Sequence, residues 1–277
     1  MGHRVSYNGS LGLNDYMKTL KQMEYFIFTT DGGDPRVTGM NMGTSQAWFD
    51  DDFWSINQQI KAFMWPDDRQ DLRFLSGTKP EFNLDLIGLP MHKNAKHTDL
   101  IYLNSLLHGY IVSSRFRELL EHSNLPPHHF YKVTFSQPNK KTNEINEVNE
   151  YWYFYFQNET GEKVLEFDKS VFETNFHTKY LNLQKDELKV STYEEYLGIF
   201  HKGFPALKCK KMVFNDTFDR NLDFWGCRFL STKSYISENL LKLIKEKKIT
   251  GVKTINQTLA KRRAEILGDS YCELIFP

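Results

Sequence analysis

At 277 residues the chain has room for one large domain or two small ones, and 40% apolar with 25% charged residues places it among globular rather than disordered proteins. Sixteen Gly and nine Pro exclude collagen-like and low-complexity classes, and 35 basic against 35 acidic residues leave no net charge to attract a polyanion. The anomaly is aromatic: 22 Phe, 14 Tyr and 5 Trp make up 15% of the chain.

Cys209, Cys227 and Cys272 are odd in number, widely spaced and form no CxxC pair, which fits a reducing compartment. The first residues lack a signal peptide's apolar core, and no run approaches the roughly 18 apolar residues of a membrane span. The expectation is a cytoplasmic protein with no membrane partner. The neutral total conceals a polarised chain: residues 1–201 carry 20 basic and 27 acidic residues, and residues 202–277 carry 15 and 8. Acidity peaks at 31–71, where Asp31, Asp34, Asp50, Asp51, Asp52, Asp67, Asp68 and Asp71 face only Arg36, Lys61 and Arg69.

In chain order, Met23 to Thr29 reads as a strand stopped by Asp31-Gly32-Gly33-Asp34-Pro35. Ser55 to Phe63 reads as a helix, and Leu72 to Leu75 and Leu84 to Leu89 as short strands. Ile101 to Leu107 fits strand or helix equally. Val112-Ser113 opens a helix whose Phe116, Leu119 and Leu120 share a face; Leu125 and Pro126-Pro127 stop it, and His129 to Phe135 resumes as a strand. The polar run 137–150 reads as a solvated loop of a hairpin whose second strand is Tyr151 to Phe156. There Tyr151, Tyr153 and Tyr155 point one way and Trp152, Phe154 and Phe156 the other, so the strand should be central and covered on both faces. Val164 to Phe167 should pair with it. Tyr193 to Phe200 and Gln257 to Leu267 read as helices, and Lys208 to Phe214 and Phe224 to Phe229 as strands. Ile236-Ser237 opens a second helix faced by Leu240, Leu243 and Ile244, with Gly251 as its C-cap and Val252 to Ile255 as the next strand. Residues 112–127 and 236–251 align without gaps, each with a serine suited to cap its helix. The fold class expected is α+β, a mixed or antiparallel sheet with flanking helices and a possible duplicated helix-strand unit. An acidic, aromatic N-terminal region, 1–100, would precede an α+β core region, 101–277, or form one continuous domain with it.

No phosphate-binding glycine loop, nucleophile elbow or zinc-ligand spacing is present, which lowers the case for an enzyme without removing it. His92, His97, His108, His122, His128 and His129 cluster in sequence but lack the spacing of a metal site, so no metal and no cofactor is expected. The strand at 151–156 lacks the glycine and basic residue of an RNA-binding motif, and nucleic acid is an unfavoured partner. The segment 48–71 carries the strongest signal. Trp48, Trp54 and Trp65 offer rigid contact area, while Asp50, Asp51, Asp52, Asp67 and Asp68 could meet a basic partner and speed its association. The competing reading makes the tryptophans core and the aspartates solvated caps.

The pattern IVSSRFRELLEHSNLPPHHFYKV, the aromatic strand from Tyr151 and then ISENLLKLIKEKKITGVKTI resembles a family of bacterial proteins assigned as immunity components of polymorphic toxin systems. The resemblance spans about residues 100–255; the double proline departs from the usual single glycine. It implies a cytoplasmic, non-enzymatic protein that binds and blocks a cognate toxin, and it transfers no catalytic residues. The leading expectation is therefore stoichiometric occlusion of a basic, nuclease-like toxin through segment 48–71. The alternatives are a hydrolase-like enzyme centred on the histidine-bearing loops at 92–129 and a nucleic-acid binder using residues 202–263.

Overall fold

A computed structural model describes residues 24–68, 71–106, 108–174, 187–200, 207–227, 230–267 and 271–277. The fold is α+β, with three mixed or antiparallel sheets. The first half of the chain holds β1 (Tyr25–Thr30), α1 (Pro35–Thr38), α2 (Asp51–Ile56), α3 (Gln58–Met64), α4 (Arg73–Ser76), β2 (Leu86–Pro90), β3 (Leu100–Ile101), β4 (Tyr110–Ser113), α5 (Ser114–Glu121) and β5 (His128–Pro138). The second half holds β6 (Ile145–Phe156), β7 (Val171–Thr174), β8 (Glu187–Leu188), α6 (Tyr193–Phe200), β9 (Leu207–Val213), β10 (Phe224–Gly226), β11 (Ser234–Ser237), α7 (Glu238–Glu246), β12 (Val252–Ile255), α8 (Gln257–Leu267) and β13 (Glu273–Ile275).

These halves are two copies of one plan. Leu100 pairs with Val112 and Ile101 with Ile111 across β3 and β4; in β10 and β11 the pairs are Phe224 with Ile236 and Trp225 with Tyr235, every residue number 124 higher. Ser113 and Ser237 cap α5 and α7 in nearly the same backbone conformation, accepting from the N–H groups of Phe116 and Leu240. Each serine in turn donates to an aspartate 14 residues upstream, Ser113 Oγ to Asp99 at 2.7 Å and Ser237 Oγ to Asp223 at 2.5 Å.

The copies have exchanged a strand. β1 leaves its own half and lies between β11 and β12, while β6 lies between β4 and β5 of the first half. The two exchanged strands occupy matching registers: Tyr25 sits opposite Ser237 and Tyr151 opposite Ser113, while Phe28 faces Thr254 and Phe154 faces Phe130. Even the phenols agree, since Tyr25 donates to the carbonyl of Leu222 and Tyr151 to that of Thr98. The boundary expected at residue 100 falls inside β3. Two polar chain crossings complete the exchange, with Asp31 N–H bonded to Gly251 O and Gln157 N–H to Pro127 O, each at 2.8 Å.

Three apolar clusters follow from this plan. Phe28 and Phe154, Leu100 and Phe224, Val112 and Ile236, and the faces of α5 and α7 meet in a central core between the halves. Tyr151, Tyr153 and Tyr155 enter the first half's core with Phe74, Leu86 and Phe135, and Tyr25 and Ile27 enter the second half's core with Trp225 and Tyr235. β6 is thus central and covered on both faces, as its alternation of tyrosines with Trp152, Phe154 and Phe156 requires.

Several local expectations fail for identifiable reasons. Leu72 to Leu75 belongs to α4, a single turn whose Phe74 fills the core under the stacked ring of Tyr155. The run 137–150 is mostly strand: β5 extends to Pro138 and β6 starts at Ile145, because cross-strand pairing from Phe135 to Pro138 overrides the polar composition and leaves a turn at 139–144. Val164 to Phe167 makes only a single bridge, Leu165 to Phe214, since both edges of β6 are already filled. Gly251 does not cap α7. The helix ends at Lys247, Lys248 takes the left-handed conformation, and Gly251 (φ 81) lies where a Cβ would sit 2.3 Å from the Leu100 carbonyl. Ile101 to Leu107 splits into β3 and the loop after it, with Leu107 outside the described residues, as are Met23, Arg228 and Phe229 at the expected strand ends.

Candidate functional site

The acidic, aromatic segment folds as two short helices packed on the first half's core. Asp50 Oδ1 accepts the Phe53 N–H at 2.8 Å and starts α2, and Asp51 and Asp52 occupy its first turn, where carboxylates favour the positive helix end. Asn57 separates α2 from α3, its side chain donating to the Phe53 carbonyl. Phe53, Ile60, Phe63 and Met64 are buried and anchor both helices. Outside this anchor lies an aromatic cluster, with Phe49 4.6 Å from Trp54 and Trp54 edge-on to Trp65 at 5.0 Å.

Asp51, Trp54, Lys61, Trp65 and Asp67 line an open groove of about 520 Å³, together with Ser55, Gln58 and Ala62. Of the residues singled out from sequence, the structure therefore brings together Asp51, Trp54, Trp65 and Asp67. Trp48 points elsewhere and packs on His92, ring centroids 4.4 Å apart. Asp50 spends a carboxylate oxygen on its helix cap, and Asp52 and Asp68 are not among the lining residues. Ser55, Gln58 and Ala62 were not anticipated. Their signal was available, since 51, 54, 55, 58, 62 and 65 follow a helical repeat that marks one polar, aromatic stripe. The arrangement can bind: two indoles present broad apolar area, and two carboxylates against the one amine of Lys61 leave a net negative lining to meet a cation.

The histidines do not form a comparable centre. His108 is buried, with Nε2 2.7 Å from the Phe156 carbonyl and Nδ1 3.0 Å from Asn158 Nδ2. His97 meets Gln137, His122 the Glu118 carbonyl and His128 the Pro126 carbonyl. Burial lowers the pKa of His129, aided by Lys79 and His128. Among the described residues no three His, Cys, Asp or Glu side chains group as a metal ion would need. No helix among them is long and apolar enough to cross a membrane.

One highly connected carboxylate is architectural. Asp99 accepts from Ser113 Oγ, from Arg115, and from both the N–H and hydroxyl of Thr250, each at 2.8 Å, which lies in the other half. Burial alone would raise its pKa, but Arg115 and these donors hold it below the usual carboxylate range. Asp223 repeats the device, accepting from Ser237 and from the Asn124 N–H across the same boundary at 2.9 Å. Recurrence at equivalent places identifies both as latches between halves.

Neither protein-family models nor curated proteins match this sequence.

Proposed function

We propose that this chain acts by stoichiometric binding, as an immunity-type protein that occludes the active site of a cognate toxin. The observation that carries the reading is the groove between α2 and α3, where Trp54 and Trp65 stand beside Asp51 and Asp67. A nuclease-like toxin presents cations to substrate phosphates, and the carboxylates of Asp51 and Asp67 beside indole surface, with Lys61 the single cation of the lining, are complementary to such a site. The resemblance of the two capped helix-strand units to polymorphic-toxin immunity proteins supports the same reading.

Affinity purification of the tagged chain from its native cell, with mass identification, should recover one stoichiometric partner bearing a toxin domain. Asp51→Asn with Asp67→Asn should then weaken neutralisation by about tenfold or more, since charge pairs at interfaces are worth roughly 1.5 kcal/mol upward. Full protection by this variant would overturn the site. Recovery of no toxin by a folded bait would overturn the function.

A further inference from the structure

On the opposite charge, a second groove of about 660 Å³ opens between the loop at 92–97 and the turn of the β5–β6 hairpin. Lys93, Lys96, His97, Lys140 and Lys141 line it, and no Asp or Glu does. Its walls are held in place. Gln137, on β5, donates from Nε2 to the carbonyls of His92 and Ala95 at 2.9 and 3.0 Å, and its Oε1 lies 2.7 Å from His97 Nε2. The Lys96 amine donates to the Arg36 carbonyl at 2.6 Å, fixing that side chain along the loop. Opposite, Asn139 Oδ1 accepts the Lys141 N–H at 2.9 Å and shapes the turn that carries both Lys140 and Lys141.

We propose that this groove is a docking site for a carboxylate-rich polypeptide segment of a partner protein. The choice of occupant follows from the donors present. Single-stranded nucleic acid is held by broad aromatic platforms on which successive bases stack and by bidentate arginine forks; the lining has no Phe, Tyr, Trp or Arg, and its one ring, His97, is tied to Gln137 at 2.7 Å. Lysine ammonium groups are compact point charges on flexible stems, with no demand for a planar, two-pronged acceptor, and four of them spread along the groove match separate carboxylates along a chain. The proposal is independent of what occupies the groove between α2 and α3.

The test uses the full chain and a fluorescently labelled oligoglutamate peptide, with an oligouridylate of equal charge as comparison, followed by anisotropy. Saturable peptide binding that weakens steeply between about 0.05 M and about 0.5 M salt is expected. Lys93→Glu with Lys140→Glu should weaken it by at least about tenfold, whereas Lys163→Glu with Lys261→Glu, which changes net charge equally at exposed positions elsewhere, should change it by less than about twofold. Circular dichroism checks the fold, and Lys93→Gln with Lys140→Gln replaces the reversal if that unfolds the chain. No saturable peptide binding, equal losses in both charge-reversed variants, or tighter binding of the oligouridylate would each overturn the proposal.

Discussion

The two halves share a plan and differ in how they complete it. In the first half β5 runs from His128 to Pro138 as one strand, pairing with β6 on both sides of a register shift between Val133 and Phe135 and also with β2 in parallel. In the second half the equivalent path is cut. β12 ends at Ile255, Asn256 Oδ1 caps α8 by accepting the Leu259 N–H at 2.7 Å, and the next strand among the described residues is β13, which pairs in parallel with β9 as β5 does with β2. One five-stranded sheet in the first half thus becomes two four-stranded sheets where a helix intervenes. The lesson is that the part of the plan common to both halves is the exchanged junction, while the outer pairings tolerate insertion.

That junction makes the strongest prediction. Each half lacks a central strand that the other supplies, so a chain cut between Thr142 and Asn143, in the hairpin turn, should yield fragments that are individually unfolded. Coexpressed, they should copurify in equal amounts and regain one cooperative unfolding transition. A fragment that folds alone as a monomer would break the comparison outright, because it would show that β1 or β6 can return to its own half.

The latches allow a quantitative comparison. Asp99→Asn removes the charge that holds Arg115, Ser113 and Thr250, and should cost about 3 kcal/mol. Asp223→Asn meets only neutral partners in Ser237 and Asn124 and should cost about 1.5 kcal/mol in denaturant unfolding. The pH dependence follows from the sign of the Asp99 shift. Its folded pKa lies below the unfolded value of about 3.9, so its stabilisation is complete above that value and is lost as pH falls through the lower, folded pKa. Asp99→Asn should therefore flatten the acid limb of the stability profile. Equal costs for the two aspartates would show that the Arg115 pair contributes nothing.

How much of this could be read from the chain depends on what kind of signal each feature leaves. The helices after Ser113 and Ser237 were legible because an N-cap followed by apolar residues at helical spacing is local, and the alternation in Tyr151 to Phe156 announced a strand buried on both faces. The duplication surfaced only as a short aligned stretch. Its wider extent was hidden because β1 and the end of β6 share only Glu24-Tyr25 with Glu150-Tyr151 and Phe28 with Phe154, and because strand exchange is a long-range choice that no local pattern records. Asp99 and Asp223 were missed although each stands 14 residues before its serine, a spacing that reads as nothing until β3 and β4, or β10 and β11, are seen to bring the two together. In the groove, charge and aromatic content pointed to segment 48–71 and helical spacing puts Trp54 and Trp65 on one stripe, while the break at Asn57 and the burial of Phe53 and Phe63 fix which way that stripe faces and leave Trp48 outside it.

The finest test of equivalence lies in the phenols. Burial pushes the pKa of both Tyr25 and Tyr151 well up, and each phenol donates a hydrogen bond to a backbone carbonyl. Tyr151 makes one bond, to the Thr98 carbonyl at 2.9 Å, and Tyr25 divides its donation between Leu222 and Arg220 at 3.2 and 3.0 Å. Tyr151→Phe leaves a buried carbonyl without its donor and should cost about 1 kcal/mol; Tyr25→Phe should cost the same within about 0.5 kcal/mol. Because the two sit in separate cores, the double variant should lose the sum of the two costs. A silent Tyr25→Phe beside a costly Tyr151→Phe would mean that strand pairing and apolar packing hold β1 without help from its phenol, and that the exchange is symmetric in geometry but not in energy.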